Sequence, residues 1–362
     1  MNIVTIVGAR PQFVKAAVVS RAMQRAAENG VAVQESIIHT GQHYDHGMSS
    51  IFFEEMDIPQ PVCDLGVHGL SHGGMTGRML EGIENYLLDQ RPDRVLVYGD
   101  TNSTLAGALA AAKLGIPAAH VEAGLRSYNR SMPEEINRVL TDHASTILFC
   151  PTAAAMDNLA AEGVADEPGR RRVVYSGDVM YDAFLYYQAR NRPPGFPVPE
   201  EYALATVHRA ENTDDPGRLA ELVRSLNDVA GRLPVVLPLH PRTRARMEQA
   251  GLAFSDDVLA APSVGYLEML HLLQGCRLVL TDSGGLQKEA FFQQRPCVTL
   301  RSETEWTELV DLGVNRIAGT RTADVAACVE HFLSHEPDWS ARPYGDGHAA
   351  ETIVEWLCMP AW

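Results

Sequence analysis

The chain has 362 residues, enough for two domains of common size, and 46% of them are hydrophobic, a globular rather than a disordered composition. A formal net charge of -16 argues against a nucleic-acid partner and against an anionic membrane surface. An anionic substrate would need a pocket that is basic locally, against the field of the whole molecule.

The N-terminal segment MNIVTIVGARPQF has no basic stretch ahead of a long apolar run, so no signal peptide is expected. No run of about 18 apolar residues is present to cross a membrane. Short runs rich in Val, Ile and Leu then recur between longer helical stretches. Strands are predicted near 2–7, 34–39, 94–98, 118–121, 146–150 and 172–176. A second series follows near 203–207, 234–239, 258–260, 277–281 and 296–300. Apolar runs of this length, alternating with helices, indicate parallel sheets covered on both faces. Asp215-Pro216 reads as an N-cap followed by proline in the first turn, opening a helix over 216–231.

Pro193, Pro194, Gly195, Pro197 and Pro199 punctuate the chain before the second strand series. The expected fold class is α/β, with two doubly wound, Rossmann-like parallel-sheet domains facing each other across a cleft. The boundary is expected between 176 and 200, giving domains of 1–178 and 179–347. The six cysteines (63, 150, 276, 297, 328 and 358) form no C-x-x-C pair and no His/Cys cluster. That pattern predicts a reduced, cytoplasmic, zinc-free protein.

Ligands of open parallel sheets bind outside the carboxyl ends of the strands. The residues that follow each strand are therefore informative. They are Gly8-Ala9-Arg10 with Lys15 a turn later, Thr40-Gly41-Gln42-His43-Tyr44-Asp45, Gly99-Asp100-Thr101 and Glu122-Ala123-Gly124-Leu125-Arg126. In the second half they are His208-Arg209-Ala210-Glu211-Asn212, His240-Pro241-Arg242 and Asp282-Ser283-Gly284-Gly285. Singly, each has an ordinary reading: Asp100 as a helix cap, Ser283-Gly284-Gly285 as a tight turn, Arg10 and Lys15 as solvated cations. Together they read as a site. Glycines at a helix N-terminus expose N–H groups that suit a diphosphate, and Glu289 on that helix suits a sugar hydroxyl. Neither the P-loop pattern nor G-x-G-x-x-G is present. His208 stands beside Arg209 and ahead of Glu211 and Asn212, unlike an isolated core histidine; His240, in LHPRTR, is a weaker case. His39 and His43 have no discriminating context.

The segments GARPQFVKAA, TGQHYD, GDTNSTLAG, HVEAGLRS, PEEINR, VHRAEN, LHPR, TDSGGLQKEA and PYGDG, in that order, resemble the non-hydrolysing UDP-N-acetylglucosamine 2-epimerases from residue 1 to about 356. The resemblance implies a GT-B fold, a homodimer, a C-terminal helix (348–358) returning to the first domain, and no NAD or metal cofactor. It implies interconversion of UDP-GlcNAc and UDP-ManNAc, or of a related UDP-amino sugar, by elimination of UDP to a glycal and re-addition. Asp100, Glu122 and Glu134 resemble the acid/base carboxylates, and His208 the histidine near the phosphates. Arg10, Lys15, Arg209, His240, Ser283, Gly284, Gly285 and Glu289 resemble substrate or UDP contacts. The segment PSVGYLEML, with Tyr266, corresponds to the uracil pocket.

Some family members are activated by their own substrate. For that role Gln42 and Glu135 are the candidate contacts, with Asp45 standing where a second glutamine is found. Trp306 in SETEWTELV replaces an arginine common in the family. These features are closer to the branch that includes UDP-2,3-diacetamido-2,3-dideoxyglucuronate 2-epimerases, an alternative substrate. A GT-B glycosyltransferase would share the nucleotide end but would not need all three carboxylates; a hydrolysing relative would release free sugar. Glu135 and Arg138, three apart, are expected to brace their helix.

Overall fold

The computed structural model describes residues 1–42, 56–239 and 241–360; His43, Tyr44, Asp45, His240 and the side chains of Arg10 and Arg242 lie outside the described residues. The chain divides into two compact units, Met1–Ala183 with Arg342–Trp362, and Phe184–Ala341.

The first unit is built on a seven-stranded, all-parallel sheet in the order β3-β2-β1-β4-β5-β6-β7. Its strands are β1 (Asn2–Val7), β2 (Gln34–His39), β3 (Cys63–Asp64), β4 (Arg94–Tyr98), β5 (Ala118–Val121), β6 (Ile147–Cys150) and β7 (Arg172–Tyr175). Every residue of β4, β5 and β6 is buried, as a sheet covered on both faces requires. Val4, Ile6, Val95 and Val97 pack against Met79, Ile83 and Leu87 of helix His72–Gln90 and against the alanine face of helix Asn102–Lys113.

The last helix, Ala349–Cys358, packs on helix Arg10–Glu28 of the same unit. Side chains of that unit hold both of its ends. At its start, Asp182 accepts the N–H groups of Ala349 (2.8 Å) and Ala350 (3.3 Å). At its end, the Arg94 guanidinium donates to the carbonyls of Trp356 and Leu357 (2.7 Å each) and Met359 (2.6 Å). Helix termini otherwise leave such groups without partners.

The second unit holds six parallel strands in the order β10-β9-β8-β11-β12-β13. They are β8 (Ala203–Thr206), β9 (Val235–Leu239), β10 (Val258–Pro262), β11 (Leu278–Thr281), β12 (Cys297–Thr299) and β13 (Asn315–Ile317). Asp215 caps helix Pro216–Ala230 through the N–H groups of Gly217 and Arg218, with proline in the first turn. Both sheets reverse strand order at their middle. Their carboxyl ends therefore gather the turns after β1, β4 and β5 in one unit, and those after β8 and β11 in the other.

Candidate active site

In the first unit, three turns converge on Glu122. It directly follows β5, adopts a left-handed backbone (φ 75°), and its carboxylate is ion-paired with Lys15 of helix Arg10–Glu28. Both side chains are more than nine-tenths buried. The third element is the turn after β4, where a Cβ on Gly99 would lie 3.2 Å from Glu122 Oε2 and 3.4 Å from Lys15 Nζ. A non-glycine residue in this backbone region is strained, and the surrounding contacts have to hold it there.

Asp100 follows Gly99 and pairs with Arg138, while its own carbonyl accepts Asn137 Nδ2 at 3.0 Å. Both partners come from helix Pro133–Ala144, whose first turn carries Glu134 and Glu135. Glu134 is half-buried and makes no side-chain hydrogen bond or ion pair with the described residues. Glu135 is buried and differently employed. It accepts Ser127 N (2.9 Å), Ser127 Oγ (3.0 Å) and Tyr128 N (3.0 Å), and it pairs with Arg138 at 2.8 Å. It thus braces the Ser127–Met132 linker, and through Arg138 it joins that linker to Asp100. Gln42 accepts Ser103 N (3.1 Å) and Ser103 Oγ (2.7 Å), tying the turn after β2 to the start of helix Asn102–Lys113.

Beneath these turns runs a buried ionic layer. His120 Nδ1 lies 2.7 Å from Asp142 Oδ1, and Arg126 Nη1 donates to Asp142 Oδ2 at 2.7 Å. Arg126 also makes a bidentate pair with Glu162 at 2.7 and 2.8 Å. Burial would raise the Asp142 carboxyl, but the hydrogen bonds and charges of His120 and Arg126 outweigh it and hold the group below its ordinary value. The sequence reading passed over His120 and Asp142. The available signal was the inward stripe of helix Pro133–Ala144, where Glu135, Arg138 and Asp142 are charged residues on a buried face.

In the second unit, helix Gly284–Phe292 opens on Ser283, whose hydroxyl accepts Leu286 N at 3.4 Å. Gly284 and Gly285 form the first turn. A Cβ on Gly284 would come within 2.6 Å of Glu305 Oε1 and 3.4 Å of Trp306 Nε1, so any larger residue would push the Glu305 carboxylate aside. Glu305 pairs with Arg301 at 2.9 Å and has Arg209 at 4.0 Å, while Lys288 Nζ sits 4.0 Å above the Trp306 ring. Asp282, fully buried at the end of β11, accepts His208 N (3.1 Å), Arg209 N (3.0 Å) and Asn212 Nδ2 (3.1 Å). Its other oxygen lies 3.1 Å from His208 Nδ1. Burial would raise this carboxyl too, but His208 and the N–H donors bring it below its usual range. The His208 ring stays half-exposed, oriented by Asp282.

Tyr266 is buried; burial and the neighbouring Glu289 carboxylate push its phenol well above its ordinary value. Among the described residues, no three His, Cys, Asp or Glu side chains are grouped to hold a metal, and no helix is long and apolar enough to cross a membrane.

The first unit thus presents carboxylates held by cations, suited to moving protons. The second presents N–H groups at a helix start beside an oriented histidine, suited to a diphosphate. The sequence-predicted residues fall into these two sets: Asp100, Glu122, Glu134 and Lys15 in one, and His208, Arg209, Tyr266, Ser283, Gly284, Gly285 and Glu289 in the other.

Comparison with known proteins identifies the family. A family model described as UDP-N-acetylglucosamine 2-epimerase matches residues 25–358. The chain is 53% identical to a UDP-2,3-diacetamido-2,3-dideoxy-D-glucuronate 2-epimerase of Pseudomonas aeruginosa, covering 99% of each chain. The crystal structure of Methanocaldococcus jannaschii UDP-GlcNAc 2-epimerase in complex with UDP-GlcNAc and UDP superposes with a TM-score of 0.90 at 40% identity, again over 99% of both chains. The UDP-GlcNAc 2-epimerase of Neisseria meningitidis bound to UDP-GlcNAc gives 0.87 at 28% identity, with 99% of each chain covered. The two doubly wound sheets are those of a GT-B protein, and the chain belongs to the UDP-N-acetylglucosamine 2-epimerase family, a family of isomerases.

Proposed function

We propose that this protein inverts C2 of a UDP-activated 2-acetamido sugar by eliminating and re-adding UDP, with UDP-2,3-diacetamido-2,3-dideoxyglucuronate as its substrate. The observation that carries the reaction type is the pair of neighbouring strand ends that present Asp100 and Glu122, each carboxylate held by a cation from a different helix. The C2 proton of such a sugar has no adjacent carbonyl to acidify it. Coupling its removal to departure of a good leaving group avoids a free carbanion. In an α-gluco sugar the C1–O and C2–H bonds are both axial and antiperiplanar. A carboxylate takes the C2 proton, the C–H electron pair becomes the C1=C2 bond, and the C1–O pair leaves with UDP. Protonation of the opposite face of C2 and return of the UDP oxygen to C1 give the manno epimer. Nothing is oxidised or reduced overall, so no nicotinamide is required.

Asp100, Glu122 and Glu134 form the proton-transfer set, and Lys15 pairs with Glu122 and orients it. The N–H groups at Gly284 and Gly285, with His208 and Arg209, stabilise the departing diphosphate. Glu289 receives ribose hydroxyls, and Tyr266 borders the base. The substrate assignment rests on the 53% identity to the diacetamido-uronate enzyme. UDP-GlcNAc is the second reading, favoured by the superposition on an enzyme holding that sugar. The enzyme is a cytoplasmic homodimer in this reading. The exposed Ile136 and Leu140, one turn apart on helix Pro133–Ala144, support coverage by a second copy.

Incubation with each nucleotide sugar in D2O, followed by proton NMR, tests the proposal. Deuterium appearing at C2 together with the manno epimer supports it. Free sugar indicates a hydrolase, and UDP binding without exchange of either sugar rejects the reading.

A further inference from the structure

We propose that His120 and Asp142 are positioning residues for the two central carboxylates, acting through the backbone of Gly99 and Gly124. The inference rests on the assignment of Asp100 and Glu122 to proton transfer. His120 belongs to β5, and its Nε2 reaches across to β4, 2.7 Å from the Gly99 carbonyl, the residue just before Asp100. The other nitrogen meets Asp142 Oδ1 at 2.7 Å, and Asp142 Oδ2 accepts the N–H of Gly124 at 3.1 Å, two residues after Glu122. One imidazole–carboxylate pair therefore grips both turns that carry the reacting groups.

These turns need gripping. Gly99, Glu122 and Gly124 all have positive φ (66°, 75° and 80°), and Glu122 holds its value without glycine's freedom. The clamp is itself an unusual use of a core. His120 and Asp142 are completely buried, and Arg126 nearly so. Ionic layers of this kind are costly to desolvate, and apolar replacements of equal volume often leave a fold as stable or more stable. Stability alone is thus a poor reason for the layer, whereas its two backbone contacts coincide with the two catalytic turns. Each ring nitrogen of His120 faces an oxygen, the Gly99 carbonyl on one side and the Asp142 carboxylate on the other.

The experiment compares H120F, H120Q and D142N with wild type, reading kcat and KM for C2 exchange, UDP Kd by calorimetry, and Tm. Phenylalanine keeps the volume and removes both bonds. Glutamine can still donate to the Gly99 carbonyl. The expected result for H120F is a kcat lower by about 100-fold, as for reacting groups displaced by about an ångström. UDP Kd should stay within about two-fold, because the diphosphate contacts lie in the other unit, and H120Q should recover most of the lost rate. Wild-type kcat in H120F overturns the proposal, as does a loss that H120Q does not relieve or that merely tracks the folded fraction. If H120F fails to fold, D142N decides: reduced kcat with UDP affinity kept supports the clamp, and unchanged kcat rejects it. E122Q, measured alongside, separates this question from the one beneath it. Exchange surviving in E122Q removes the carboxylate assignment; exchange lost in E122Q but kept in H120F removes only the positioning role.

Discussion

Asp100 and Asp282 occupy the same place in two sheets of the same winding: each follows the strand beside the reversal of strand order, and each precedes a helix capped by a hydroxyl, Thr101 or Ser283. Their environments are opposite. Asp100 remains partly exposed, and its carboxylate pairs with the Arg138 side chain. Asp282 is sealed and spends its oxygens on the N–H groups of His208 and Arg209, the amide of Asn212 and the His208 ring. One topological position therefore serves as a chemical group in one unit and as a brace in the other. The difference lies in the neighbouring turn. The turn after β8 bends its N–H groups onto Asp282, whereas the turn after β1 supplies Gly8 and Ala9 N–H groups to Gln12 instead (2.9 and 3.0 Å) and leaves Asp100 free to face outward.

The sharpest way to break this comparison is to neutralise each aspartate in turn. D100N should lower the C2 exchange rate by roughly 10²–10⁴-fold, the range for a lost acid/base group. Its Tm should fall little, since Arg138 keeps Glu135. D282N should do the reverse. It removes the charge shared by the N–H donors on one oxygen and puts an amide NH2 where the other oxygen faced His208, at a cost of roughly 3 kcal/mol, lowering Tm by about 6–12 °C, and the exchange rate per folded molecule should fall far less than in D100N. Paired exchange assays and thermal melts decide the matter. Equal loss of stability in the two variants would end the distinction.

The glycines after Asp282 allow a finer test within one turn. G284A drives a methyl group into the Glu305 carboxylate, and a weaker UDP Kd, by about ten-fold or more, is expected if that displacement costs 1.4 kcal/mol or more. A Cβ on Gly285 would have Ser283 Oγ as its nearest neighbour, at 4.0 Å, so G285A should fold normally and lose less affinity. Calorimetry with UDP measures both. A larger loss in G285A would move the close approach from the protein's own loop to the ligand.

Much of this was legible in the residues, because the buried strands announce themselves by continuous Val, Ile and Leu and the ligand rim follows from their polarity. The strands that went unread, Cys63–Asp64 and Asn315–Ile317, are two- and three-residue edge pieces containing Asp, Asn and Arg. Edge strands are bonded on one side only and need no apolar run, so periodicity is silent there. The carboxylates stood out because they end strands. Their supports did not, since His120 lies inside the strand AAHV and Asp142 lies 22 residues further along. Contacts of that sequence separation are set by packing rather than by local pattern. Glu135 shows the same limit: its spacing to Arg138 was readable, but its grip on Ser127 and Tyr128 was not.

A third aspartate sharpens what makes a buried carboxylate a good brace. Asp182, like Asp282, is buried and accepts backbone N–H groups, those of Ala349 and Ala350. Burial is the largest influence on both, but Asp282 has His208 beside it, whereas Asp182 has Glu351 and Asp178. The Asp182 carboxyl is consequently raised to about 7, while that of Asp282 is lowered. Linkage then gives opposite signs. Asp282 contributes stability that is present above the ordinary aspartate range and is lost as pH falls through its depressed value. Asp182 binds its proton more tightly in the folded chain, so its contribution is complete below the ordinary aspartate range and is lost as pH rises through about 7. D182N, whose amide oxygen still accepts the same N–H groups, should match wild type near pH 4. It should become the more stable protein by pH 8, by on the order of 1–3 kcal/mol. Thermal melts of the two proteins across that range test the sign. A Tm difference that does not grow with pH would mean that the N–H groups of the last helix outweigh both burial and the acidic neighbours at Asp182, making it the same kind of brace as Asp282.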